Sequence, residues 1–172
     1  MTIYVRNCDN SARYALGEIG RRPLVVLGVN PSTATDVCHD KTVAKVVGFS
    51  TRHGFDGWLM LNIYPQRATN PSDLGHERHE EWHSQNIIEI RKLVSSLRRP
   101  TIWAAWGDVI EKRRFLLDCL CDIVASMEQY RPKWCHMGTL TQKGHPRHPS
   151  RLAYAVEKAR FAIVPYLKTH QD

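Results

Sequence analysis

The run Leu24-Val25-Val26-Leu27-Gly28-Val29 carries no polar side chain over the length of one strand, and it stops at Asn30-Pro31. A strand with one face in water alternates, whereas one without a polar position is buried on both faces, as in a parallel sheet covered by helices. Trp58-Leu59-Met60-Leu61-Asn62-Ile63-Tyr64, closed by Pro65, reads the same way, as does Thr101-Ile102-Trp103-Ala104-Ala105-Trp106, halted by Gly107-Asp108. Residues 134–140 supply a shorter fourth strand. Between these runs the period becomes helical. Residues 42–53 place Val43, Val46, Val47 and Ser50 on one face, and residues 77–97 align Ile87, Ile90, Leu93, Val94 and Leu97 opposite their charges. Further helices are expected over residues 109–127 and 152–162, and the polar, proline-punctuated stretch 66–75 is loop. The expectation is one α/β domain spanning all 172 residues. It should have three layers, with a short, mostly parallel four-stranded sheet flanked by helices.

In such sheets ligands bind beyond the carboxyl ends of the strands. That rule gathers Asn30-Pro31-Ser32, residues 62–67, Trp106-Gly107-Asp108 and the loop after Leu140 around one cleft. Lysine and arginine number 24 against 17 acids, a net +7, which favours a polyanionic partner. No apolar run approaches the roughly 18 residues of a membrane span. Residues 1–10 hold an apolar patch too short for a signal peptide, so a cytoplasmic monomer is expected. The five cysteines have no framework spacing and read as reduced thiols. His145 and His148, with Cys135 or His136, lack a recognised zinc spacing, so neither metal nor cofactor is called for.

Four strand ends carry unusual residues: Gly28-Val29-Asn30-Pro31-Ser32, Leu61-Asn62, Trp106-Gly107, and Gly144-His145-Pro146-Arg147-His148-Pro149-Ser150. In this order they resemble the uracil-DNA glycosylase superfamily. That superfamily has a Gly-x-Asp/Asn-Pro motif after its first core strand, an apolar strand ending in Asn, another ending in Trp-Gly, and a late His-Pro-Ser loop. With Asp40-Lys41-Thr42 and Arg67-Ala68-Thr69-Asn70-Pro71 added, the pattern looks still more like a bacterial family of unknown function grouped with that fold. The resemblance covers roughly residues 24–152.

It implies a cleft that takes a base swung out of DNA. Asn30 would position the water that attacks the sugar, although an amide cannot take a proton as a carboxylate can. Asp36 and Asp40, close behind, are the alternatives, each with a plainer role as helix cap. His148 would donate to the base oxygen as negative charge develops there. His145 offers a second His-Pro, but only His148 is followed by Pro-Ser. Asn62 would read the pyrimidine edge and Tyr64 would stack on the base, unless it is core. Ser150, Lys143, Arg147 and Arg151 would hold phosphates, and Arg67 could meet the same backbone or a bulky group on the base.

The first motif carries Ser32 where the uracil enzymes carry a tyrosine that blocks thymine's methyl group, so a larger 5-substituent should be admitted. The function expected is a monofunctional DNA glycosylase, without cofactor, for a damaged or modified pyrimidine. A hypermodified base of invading phage DNA, and hence anti-phage defence, fits the same pocket. Two other readings stay open: a non-catalytic nucleic-acid-binding or sensing module, and an enzyme acting on free nucleosides or nucleotides.

Overall fold

The all-apolar run does become a strand buried at every position, Leu24–Gly28. The computed structural model describes residues 1–171. In chain order the elements are β1 (Thr2–Arg6), β2 (Arg13–Glu18), β3 (Leu24–Gly28), α1 (Lys41–Arg52), β4 (Trp58–Asn62), α2 (Glu80–Ser95), β5 (Thr101–Ala104), α3 (Phe115–Met127), β6 (Lys133–Met137), β7 (Lys158–Arg160) and α4 (Ile163–His170). They build a seven-stranded sheet in the order β1-β2-β4-β3-β5-β6-β7. The four expected strands are its parallel centre, with Gly28 opposite Asn62 and Leu27 opposite Ala104. Antiparallel strands extend both sides, so the expected count of four is corrected to seven.

Strand alternation sorts the core into two layers. Leu24, Val26, Trp58, Met60 and Trp103 face α1, where they meet Val43, Val46 and Phe49. Val25, Leu27, Leu59, Leu61, Ile102 and Ala104 face Ile90 and Val94 of α2, Leu116, Leu120 and Ile123 of α3, and Ile163 and Tyr166 of α4. Each fully buried Val, Leu, Ile or Phe among them contributes about 1.5–3 kcal/mol relative to exposure. The helical stripe on α2 continues through His83 and Asn86, both buried. Asn86 Nδ2 donates to the Asn62 carbonyl at 2.9 Å, which fixes the end of β4.

Two further expectations need correction. Residues 152–162 form no helix; Leu152 follows a 3-10 turn, Lys158–Arg160 is an edge strand on β6, and the last helix is Ile163–His170. Every residue of β7 is exposed and two of its three are basic, a guarded edge that hides its strand character from hydropathy. The helix expected over 109–127 is two pieces, a 3-10 segment Gly107–Lys112 and then α3. The break falls at Arg113, whose guanidinium donates to the carbonyls of Ser72, Leu74 and Gly75. Finally, β1 and β2 form a hairpin turning through Asn10, at φ 62°.

Candidate functional site

β4 and β5 flank β3 on opposite sides, so the chain changes direction at the carboxyl end of β3, the place where open α/β sheets hold ligands. A cleft of about 540 Å³ opens there. Gly28, Asn30 and Ser32 line it from the exit of β3, Asp40 from the start of α1, and His148, Ser150 and Arg151 from the late loop. Two glycines shape the frame. A Cβ on Gly28 would lie 2.7 Å from Met60 Cε and 3.3 Å from Asn62 Oδ1. Gly107, at φ +59°, turns its N–H onto the Pro146 carbonyl at 2.8 Å and ties the end of β5 to the loop that carries His148.

Asn30 is half-buried and held by its amide nitrogen, which donates to the carbonyls of Ala68 (2.8 Å) and Pro31 (3.1 Å). Its Oδ1 accepts no hydrogen bond from the described residues, so an acceptor remains for water. Asp40 caps α1, with Oδ1 accepting from Val43 N at 2.9 Å. Its other oxygen takes no bond from the described residues.

His148 Nδ1 lies 2.8 Å from Ser150 Oγ and 3.4 Å from Ser150 N. A backbone N–H can only donate, so Nδ1 is the acceptor and the neutral ring carries its proton on Nε2. Burial pushes the His148 pKa below 6.5; Arg151 lowers it further and Asp40 opposes both. The imidazole therefore borders the cleft as a neutral N–H donor.

Asn62 is wholly buried, and both polar atoms of its amide lack a partner. It sits beneath Gly28 and Met60 and does not itself line the cleft. Several other expected residues are not brought in. Asp36 is exposed and borders a shallow hollow beside β1. Tyr64 is 1% exposed on the α2/α3 face, with its ring 4.9 Å from Phe115 and its hydroxyl accepting from His79 N, so it is core.

The expected phosphate contacts divide likewise. Arg67 is spent within the fold, donating to Asn10, Ser32, Ala34 and Tyr4. Lys143 pairs with Glu111, and Arg147 donates to the carbonyls of Thr139 and Leu140. Ser150 and Arg151 remain at the cleft, the serine engaged with His148.

His145, the other histidine of the loop, is buried and spends both nitrogens, on Tyr166 Oη (2.7 Å) and Glu111 (2.9 Å). The Trp106 indole donates to the same Tyr166 hydroxyl at 2.9 Å. This chain of bonds seats Trp106 in the cleft wall. Among the described residues no three His, Cys, Asp or Glu side chains converge as a metal site. Sequence reasoning missed Arg13, which lines the cleft while only 2% exposed. Its one signal was a lone cation set between Ala12 and the apolar Tyr14-Ala15-Leu16.

A family model described as "Protein of unknown function (DUF1643)" matches residues 13–150. The chain belongs to that family. The matched span of DUF1643 holds every cleft residue discussed above except Arg151. No curated protein and no solved structure matches the chain.

Proposed function

We propose that the protein is a monofunctional DNA glycosylase that hydrolyses the N-glycosidic bond of an extruded, damaged or modified pyrimidine. The observation that carries the reading is one cleft that pairs a neutral His148, its Nε2–H unclaimed by Ser150, with two free acceptors, Asn30 Oδ1 and the second Asp40 oxygen. The base departs with the electron pair of the C1′–N bond, and its developing negative oxygen takes a hydrogen bond from His148. Water held by Asn30 adds to the cationic sugar carbon and gives its proton to Asp40, which supplies the carboxylate that Asn30 lacks. Asn62, with its buried and unpartnered amide, suits the pyrimidine edge once the flexible Met60 side chain shifts aside. A hypermodified phage base is one such pyrimidine.

Purified protein should convert a DNA carrying its base to alkali-labile abasic sites, with the free base identified by mass spectrometry. The panel should include uracil, mismatches, 5-modified cytosines, and phage and host DNA. Absence of abasic sites on every substrate would remove the DNA glycosylase reading.

One observation favours a second reading, an enzyme of free nucleosides or nucleotides. Lys143, Arg147 and Arg67, the cations expected to grip a strand, are all engaged within the fold. Release of base from nucleosides, with none from DNA, would select it.

A further inference from the structure

Arg13 opens β2 and points its guanidinium to the cleft wall beside Asn30 and Asp40. A guanidinium has five N–H donors. Here the described residues provide one hydrogen bond, from Nη1 to the Ala34 carbonyl at 2.8 Å. Nε is buried without a partner, and Nη2 donates to no described residue. The ion pairs among the described residues do not include it. Arg67 makes the contrast: it shares the Ala34 carbonyl and has further partners for its remaining nitrogens. Burial first, and then the positive charge of Arg67, push the Arg13 pKa down to about 10, while Asp40 and Tyr4 oppose. The group is still charged at neutral pH, desolvated, and beside a like charge.

A cation in that state is stabilised when an anion with several acceptor atoms completes its fork, and a phosphate does so with paired oxygens. We infer that Arg13 anchors a phosphate of the cleft's ligand. The inference rests on the reading of the cleft as a pyrimidine nucleotide site and adds the group by which that nucleotide is held. Two sources offer the same chemistry, an internucleotide phosphate beside the extruded base and the terminal phosphate of a free nucleotide.

Calorimetric titration of the full chain separates them without needing turnover. The probes are deoxyuridine, deoxyuridine 5′-monophosphate, a seven-nucleotide single strand with central uracil, the same strand with a central abasic site, and inorganic phosphate. Expected is a tenfold or larger gain of a phosphate-bearing probe over the nucleoside. Arg13→Met should abolish that gain, and Arg13→Lys, which keeps charge without the fork, should restore part of it. Preference for a strand, abasic included, assigns the backbone; preference for the monophosphate assigns the free nucleotide.

Inorganic phosphate should raise the thermal midpoint of the unmodified protein and compete with the preferred probe, a readout that stands even if Arg13→Met does not fold. Equal binding of nucleoside and nucleotide, or no response to any phosphate-bearing probe, overturns the inference. Phosphate-dependent binding without base release would leave Arg13 in place and remove the glycosylase reading.

Discussion

Tyr166→Phe removes one oxygen atom and tests whether the wall of the cleft is held as described. The hydroxyl accepts from Trp106 Nε1 at 2.9 Å and meets His145 Nδ1 at 2.7 Å. Trp106 is 0% and His145 1% exposed, so neither freed group finds bulk water. Leaving a buried donor or acceptor unsatisfied costs roughly 1–3 kcal/mol, so two such groups put the loss at about 2–6 kcal/mol. At roughly 2–4 °C per kcal/mol for a domain of this size, the thermal midpoint should fall on the order of 4–24 °C. Differential scanning calorimetry reads the shift. The companion variant is Trp106→Phe, which has no indole to orphan. In that background Tyr166→Phe should cost about 1–2 kcal/mol less, the coupling expected of two groups in direct contact. A fall below about 2 °C for the single variant, or strict additivity of the pair, would refute a satisfied relay and make the tyrosine a packing residue only.

Three further outcomes can be measured. His148 should titrate below 6.5 by nitrogen-detected NMR, as the Nε2–H tautomer; Arg151→Gln should raise the value and Asp40→Asn should lower it further. Because the folded value is the depressed one, the unfolded chain takes up the proton first, so His148 subtracts stability as pH falls through 6.5 and not above it. Asp40→Asn keeps a side chain able to cap α1, so the thermal midpoint should hold within a few degrees, while base release drops about 10²-fold or more. Asp36→Asn, at a residue that does not line the cleft, should leave release unchanged. Burial pushes the thiols of Cys119 and Cys135 up to about 12, whereas Cys8 and Cys38 are exposed. Iodoacetamide at pH 8 followed by peptide mass mapping should therefore label Cys8 and Cys38 and spare Cys119 and Cys135 until denaturant is added.

The parallel centre was legible because burial on both faces leaves no polar position, and hydropathy alone marks such strands. Leu24–Gly28 and Trp58–Asn62 are that case. The hairpin was not, since β2 is built on Ala15, Gly17 and Glu18, residue types that strands disfavour and that owe their place to tertiary contact. The site divides in the same way. Asn30, Asp40 and His148 follow strand ends or open a helix, and the rule about carboxyl ends places them without coordinates. Basic residues obey no such rule. Arg67, Arg113 and Arg147 look alike in sequence to Arg151, yet three of them spend their guanidinium groups on backbone carbonyls. Which arginine is spent and which is free depends on where loops close, and that is a tertiary fact.

The same distinction decides where on the molecule chemistry belongs. At the amino end of the parallel strands a second hollow gathers Arg21, Arg22, Arg98, Arg99, Lys133 and Lys158. All six are exposed, so water satisfies them and their grouping costs little. At the carboxyl end the balance is reversed. Arg13 Nε, in the cleft wall, and both polar atoms of Asn62, behind the lining residues Gly28 and Met60, are buried without partners. A fold that leaves such groups unmet loses stability that water cannot return. Their persistence beside Asn30, Asp40 and His148 is accounted for if a ligand completes them. If Asn62→Leu and Arg13→Met each raised the thermal midpoint while leaving every ligand response intact, the buried polar groups would be mere defects and the functional reading of the cleft would lose its physical basis.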